Sequence, residues 1–301
     1  MMENDPAAPG RRRWLALTAA GIGAGFVAPA HADSCAEDTL DRIRASGVFN
    51  LGVRDSAPPY GYKDPSGQYV GFATSIARNI YDAVNKELGG KIKLNMIPVT
   101  GQTRIPLLEN GTIDMEAGAT VVTQARTKVV DFVMAHFLTS TEVLVPADSP
   151  IKSLADLAGK RIGIPQGGLE EPAYREMNAR KTLSPPVRTI GFPDHPQGFT
   201  ALQTGSIDGY SSDGPILAGL APDTTKWRIV DPGINSFLQA FPIRPESSKF
   251  KHIADVTVAN LCASGGWNGL YETYFGPKSA TPFPMNEPLK MLVVINSWPA
   301  Q

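Results

Sequence analysis

One short pattern occurs twice in this chain. Leu108-Glu109-Asn110-Gly111-Thr112-Ile113-Asp114 returns as Leu202-Gln203-Thr204-Gly205-Ser206-Ile207-Asp208, in the middle of two stretches of similar length. In each copy a helical segment runs into a glycine able to take the left-handed cap, and Ile and Asp then open a strand. A chain that does this twice predicts two related α/β units. The repeat also puts Ala119 and Asp213 at matching strand ends, and open α/β sheets bind ligands outside the carboxyl ends of their strands. Two such lobes facing each other would bring those ends together across a cleft.

The flanking residues fit this reading. Val48 to Val53 reads as a strand, Phe72 to Leu88 as an amphipathic helix, Ile92 to Val99 as a strand, and Thr103 to Asn110 as a helix stopped by Gly111. After Pro150 the alternation resumes. A short helix starts at Ser153, strands cover Arg161 to Ile164, Val187 to Ile190 and Gly209 to Ser212, and helices cover Glu170 to Arg180 and Gly198 to Thr204. Strand and helix in turn predict an α/β fold. Thr141 to Pro150 and Ser236 to Ile243 are the expected crossings between lobes. Residues 33–145 plus 241–301 then form the first lobe and residues 146–240 the second. In the C-terminal part a helix is expected from Phe250 to Ala263, followed by a Pro- and Gly-rich tail packed back on the first lobe.

Residues 1–32 stand apart. Arg11, Arg12 and Arg13 precede an uncharged run from Trp14 to Ala30 and an Ala30-His31-Ala32 ending, the layout of an export signal cleaved before Asp33. The order Arg-Arg-x-Trp-Leu fits a twin-arginine signal as well as the general route. Export predicts a soluble periplasmic protein in an oxidising compartment, where Cys35 and Cys262, the two cysteines, could be bridged. Lys and Arg number 28 against 29 Asp and Glu, so no basic surface points to nucleic acid. The chain carries no Gly-x-Ser-x-Gly elbow, His-Glu-x-x-His helix or phosphate loop, and neither metal nor cofactor is expected.

Three groups of residues carry a resemblance. They are the stretch from Ile97 through Gly101-Gln102-Thr103-Arg104 to Asp114, the pair Thr123-Gln124-Ala125-Arg126 and Val130-Asp131-Phe132, and Leu154-Ala155-Asp156-Leu157-Ala158-Gly159-Lys160. Over Thr39 to Phe275 the chain resembles family 3 periplasmic solute-binding proteins of ABC importers, and among them is most similar to the glutamate/aspartate-binding members. The resemblance implies a type II periplasmic binding fold, each lobe an α/β sandwich, with the ligand in the cleft. It also implies a monomer that presents its closed form to an inner-membrane permease.

Site residues follow from the chemistry and from the resemblance together. Thr123 suits an N-cap and Arg126 falls at the third position of the helix it would start, so helix N-terminus and guanidinium share a space suited to a carboxylate. The family uses this arginine as a bidentate clamp on the ligand α-carboxylate. Arg54 and Arg104 sit at strand carboxyl ends, and the resemblance implies that they grip a side-chain carboxylate with help from His195. Asp213 would pair the ligand ammonium, Ala119 and Thr120 would line the site, and Tyr60 would supply an aromatic wall. Three arginines against one aspartate suit an acidic amino acid or a plain dicarboxylate. A cyclohexadienyl dehydratase-like enzyme on the same scaffold is the other alternative, with Glu170, Glu171 and His195 as the nearby acids.

Departures from the family pattern bear on the ligand. Gly71-Phe72-Ala73-Thr74-Ser75 lacks the two acids of the general signature. Gly101 and Ala119 replace serines, and Gly167-Gly168-Leu169 replaces a Gly-Thr-Thr run, which removes four hydroxyl contacts. At about 1 kcal/mol per hydrogen bond such losses have consequences for binding.

Overall fold

The computed structural model describes residues 37–230 and 233–298. The expected export signal and Cys35, and with it the proposed bridge to Cys262, lie outside the described residues. The chain begins with α1 (Thr39–Ser46) and β1 (Val48–Val53). A small antiparallel sheet of β2 (Ser56–Ala57), β3 (Gly61–Lys63) and β4 (Tyr69–Val70) comes next. It is followed by α2 (Phe72–Glu87), β5 (Lys93–Pro98), α3 (Arg104–Glu109), β6 (Met115–Ala117), β7 (Asp131–Phe132) and the long β8 (Phe137–Pro146). The second stretch runs β9 (Arg161–Pro165), α4 (Glu170–Ala179), β10 (Arg188–Phe192), α5 (His195–Gln203), β11 (Gly209–Asp213), α6 (Gly214–Leu220) and β12 (Trp227–Val230). The chain then returns through β13 (Ser236–Gln239) and β14 (Pro242–Ile243) to α7 (Ser248–Ala263), α8 (Gly266–Phe275) and α9 (Glu287–Asn296).

Two mixed sheets organise these elements. The first has the order β5-β1-β6-β14-β7 and the second β10-β9-β11-β8-β12, with β13 also paired to β8. Each sheet is covered on both faces, which makes each lobe an α/β sandwich. On the first, Phe49, Leu51 and Val53 of β1 meet the apolar stripe Phe72, Ile76, Ile80 and Val84 of α2, while Val99, Leu108, Ile113 and Val130 form a smaller cluster. On the second, Val143, Ile162, Ile164 and Tyr174 lie in one cluster and Leu144, Leu202, Ile207 and Tyr210 in another. The fold is the two-lobed type II arrangement.

The repeated pattern does the same work in both lobes. Gly111 and Gly205 turn with φ of 76° and 70°. The aspartate three residues later accepts a hydrogen bond from the neighbouring strand: Asn50 N donates to Asp114 Oδ2 at 2.8 Å, and Arg161 N donates to Asp208 Oδ2 at 2.8 Å. In return Asp114 N donates to Asn50 O and Asp208 N to Arg161 O, both at 2.8 Å. These exchanges set the parallel register in which Val53 stands beside Pro98 and Ala117, and Gly163 beside Tyr210 and Ile190. The carboxyl ends of the parallel strands in a lobe, β1, β5 and β6 in the first and β9, β10 and β11 in the second, therefore point to one edge.

β8 contributes Phe137 to the core of the first lobe and Val143 and Val145 to that of the second, and β13 pairs with it antiparallel. The passage between lobes thus runs within paired strands. The C-terminal part differs from expectation. Beyond α7 the chain forms two further helices, because Trp267, Tyr271 and Phe275 give α8 a buried aromatic seam that outweighs its glycines. Trp267 Nε1 donates to His136 O at 2.9 Å, and α7 packs on α2, so this part belongs to the first lobe.

Candidate functional site

The strand ends of the two lobes enclose a cavity of about 40 Å³, room for roughly three water molecules. From the first lobe it is lined by Arg54, which follows β1, by Gly101 and Arg104 at the start of α3, by Ala119 and Val121 after β6, and by Arg126. Opposite stand Gln166, Gly168, Leu169 and Glu170, then Asp194 and His195, then Ser212 and Asp213. Thr141 of β8 and Phe237 of β13 close the side nearest the crossing strands.

The three arginines line one cavity. Arg54 and Arg104 are buried, and their Nε atoms have no hydrogen-bond partner among the described residues. Burial lowers the pKa of Arg54, and the positive charge of Arg104 adds to this. Arg126 is pushed down to about 10, again by burial first and Arg104 second. The local structure at Arg126 is smaller than expected. It is a single 3-10 turn over Arg126–Lys128, with Arg126 N donating to Thr123 Oγ1 at 3.2 Å, and no longer helix follows. Its Nη1 donates to Val121 O at 2.8 Å, which orients the fork.

Thr120 is corrected by the structure. It is fully buried and does not line the cavity. Its Oγ1 accepts from Arg104 Nη1 at 2.5 Å and donates to Glu116 Oε2 at 2.6 Å, so its hydroxyl is committed to holding Arg104 in place. Glu116 was not anticipated, although an acid inside the buried strand Met115-Glu116-Ala117 is a signal that a cation must lie beside it. Tyr60 is corrected too. Its ring is packed against Phe137, Phe275 and Phe72 at centroid distances of 5.2, 5.7 and 6.4 Å, inside the first core. The ring that does face the cavity is Phe237. The missing acids at Ala73 and Ser75 lie away from the site as well: Ala73 is in the core and Ser75 Oγ bonds Tyr274 Oη at 3.0 Å.

Asp213 ends β11 at the cavity and accepts from Gln239 Nε2 at 2.9 Å. Burial pushes its pKa well above the carboxylate range, and the charge of Glu170 pushes the same way. His195 opens α5 beside the cavity, with Nδ1 3.1 Å from Tyr210 Oη. Burial, with Arg54 and Arg104 nearby, lowers its pKa to about 3, so it is a neutral hydrogen-bonding group. Ala119, Gly101, Gly168 and Leu169, the four positions without hydroxyls, all line the cavity.

The lobes touch at glycines. A Cβ on Gly101 would lie 2.5 Å from Gln166 O, and one on Gly167 would lie 2.5 Å from the carbonyl of Gly101. Gly167 also has φ of 76°, which favours glycine there twice over. Its carbonyl accepts from Arg126 Nη2 at 3.1 Å and from Arg104 Nη2 at 3.5 Å. The two guanidinium groups therefore reach across the cleft to the opposite backbone. Chemically, the site offers convergent cationic forks on one wall, and carboxyls and a neutral imidazole on the other.

Residues 49–277 match the bacterial extracellular solute-binding proteins, family 3. The chain belongs to this family. It is 31% identical over 287 residues to the L-glutamate/L-aspartate-binding protein of Pseudomonas aeruginosa, covering 92% of this chain and 94% of that one. It is 30% identical over 269 residues, 88% of each chain, to the glutamate/aspartate import solute-binding protein of Escherichia coli. Among solved structures, the cysteine-binding protein from Campylobacter jejuni superposes with a TM-score of 0.72 at 22% identity, covering 83% of this chain and 96% of that one. That likeness concerns the fold. No helix among the described residues is long and apolar enough to cross a membrane.

Proposed function

We propose that this family 3 protein captures an acidic amino acid, glutamate or aspartate, in the periplasm and delivers it, in the closed form, to the permease of an ABC importer. The observation that carries the reading is the convergence of Arg54, Arg104 and Arg126 on one cavity with Asp213 on the facing lobe. Arg126, with one Nη already oriented by Val121 O, would hold the α-carboxylate, and Arg54 and Arg104 the side-chain carboxylate. Asp213 would receive the ammonium, and neutral His195 would add a hydrogen bond. The names of the relatives that match most of the chain support the same ligand class.

The cavity is walled by residues of both lobes, so loading requires the lobes to part. The hinge would lie where β8 and β13 pass between lobes, near Thr139 to Thr141 and Ser236 to Gln239. The expected division into residues 33–145 plus 241–301 and residues 146–240 then shifts within β8, because Thr141 to Val145 pair with β11 and β12 and belong to the second lobe. A shift in Tm of the purified protein against a panel of glutamate, aspartate, glutamine and succinate tests the reading, since a ligand of the native state raises Tm. Stabilisation by succinate but by no amino acid would replace it with a dicarboxylate binder.

A second reading rests on Glu170. Burial pushes its pKa up to about 7, the range of a general acid, so a cyclohexadienyl dehydratase-like activity in the same cleft is testable. Turnover of prephenate or arogenate would favour it, and an unchanged substrate would exclude it.

A further inference from the structure

Glu170 is the first residue of α4, lines the cavity and is 4% exposed. Its Oε2 has no hydrogen-bond partner among the described residues. The position of this oxygen depends on the glycine beside it: a Cβ on Gly168 would fall 2.0 Å from Oε2, and the glutamate side chain would have to turn away. The carboxyl, held by the backbone N–H groups of Leu169 and Glu170, thus places an unpartnered oxygen beside Gly168 at the ligand cavity. The charged and titratable groups around it are Arg104 and Arg126 from the first lobe, Tyr174 further along α4, and Tyr210 and Asp213 on β11, while Arg54, Asp194 and His195 line the same cavity.

We propose that Glu170 is a specificity-determining residue that must carry a proton when an acidic ligand is held, so that capture takes up one proton and selection between an acidic amino acid and its neutral amide depends on pH. This rests on the amino-acid reading of the site. Counting the buried acids, the three guanidinium charges are met by Glu116, by Asp213 and by the single net negative charge of glutamate, and the half-exposed Asp194 adds to the negative side, which leaves none for an ionised Glu170. With glutamine, whose net charge is zero, an ionised Glu170 completes the balance instead. The two carboxyls Glu170 and Asp213 face the same small cavity and each disfavours the charge of the other, while a ligand supplies one ammonium for one of them.

The direction follows from linkage. Closure takes Glu170 from the ordinary carboxylate range to about 7, mainly by burial, with Arg104 and Arg126 resisting the rise. A ligand carboxylate on those arginines weakens that resistance and raises Glu170 further. The closed complex therefore holds one more proton than the open form, and rising pH weakens glutamate binding by up to tenfold per unit through this window. Glutamate itself does not change charge between pH 6 and 8.

Calorimetry of glutamate and glutamine binding at pH 6 and pH 8, in buffers of different ionisation enthalpy, tests the proposal on the wild-type protein. The expected result is a roughly tenfold or larger rise in the Kd for glutamate across this range, with proton uptake approaching one per ligand at pH 6, and a smaller rise with less uptake for glutamine. Glu170→Gln should flatten the glutamate profile and abolish the uptake. A flat wild-type profile with no buffer dependence would overturn the proposal, and so would a slope that survives in Glu170→Gln, which would put the proton on Asp213. If neither amino acid binds the wild type at either pH, the amino-acid reading itself fails. The wild-type proton count stands even if the variant folds poorly.

Discussion

Replacing Gly101 by alanine tests whether the ligand-bound lobes come as close as they do in the structure. Gly101 does not have a positive φ, so alanine is compatible with the backbone of the isolated lobe. In the closed form the new Cβ would stand 2.5 Å from Gln166 O, roughly 1 Å inside an ordinary contact. Both partners are main chain, so neither can rotate away. Relief comes from parting the rim of the cleft, which stretches the Arg126 Nη2 to Gly167 O bond from 3.1 Å toward the limit of hydrogen bonding. Overpacking of this kind costs about 1 to 3 kcal/mol, and the open form escapes it. The Kd should therefore rise by about 5- to 150-fold, at about 1.4 kcal/mol per decade. Titration calorimetry measures the change, and the Tm without ligand should move less than the Tm at saturation. Gly269→Ala, where a Cβ meets nothing within 4 Å, is the control and should leave affinity alone. An intact Gly101→Ala protein that binds like the wild type would mean that the bound lobes stay further apart than Gly101 and Gln166 do here.

Three further outcomes are expected. Arg126→Ala should lose binding of every carboxylate ligand, since removing one partner of a desolvated charged pair costs about 2 to 5 kcal/mol, and undiminished affinity in calorimetry would remove the clamp. Asp213→Asn should weaken an amino acid, whose ammonium loses its counter-charge, but leave succinate unchanged or improved, so the sign of the effect identifies the ligand class. Trp267→Ala should destabilise the protein by about 3 to 5 kcal/mol in chemical denaturation, because its ring lies in the seam against Phe72 and Tyr271 and its Nε1 holds His136 O. The folded fraction should still bind, and a loss of affinity larger than the loss of folded protein would mean that α8 acts on the cleft.

The sequence revealed those parts of the fold that depend on local patterning. The stripe of α2 was expected over Phe72 to Leu88 and runs Phe72–Glu87, because a long apolar period fixes a helix almost alone. Short strands such as β7, β13 and β14 are made by partners distant in the chain, and nothing local announces them. The helix expected at Arg126 shrinks to one turn because no apolar face extends beyond it. In the site, the arginines and Asp213 could be placed because an α/β topology dictates where strand ends go. Tyr60 could not, since a ring beside Pro58 and Pro59 can turn to the cleft or to the core, and Phe72, Phe137 and Phe275 decide for the core. Thr120 could not be placed for a similar reason, as the acid that claims it, Glu116, lies inside a buried strand whose pattern announces no partner.

Glu170 and the glycines teach a different lesson, because there the informative feature is an absent side chain. Four lost hydroxyls at Gly101, Ala119, Gly168 and Leu169 look from the sequence like a site stripped of contacts. In the fold, the bare Gly101 and Gly167 allow main chain to meet main chain across the cleft, and the bare Gly168 leaves space that the Glu170 carboxyl fills. In place of hydroxyls the cleft has close main-chain contacts and a buried carboxyl at Glu170. Recognition that rested on hydroxyls would vary little with pH, whereas recognition by three arginines, Asp213 and Glu170 must follow the charge state of the last two. If Glu170 takes up a proton as proposed, the substitutions that make the ligand hard to name from the sequence are the ones that tie its capture to protons.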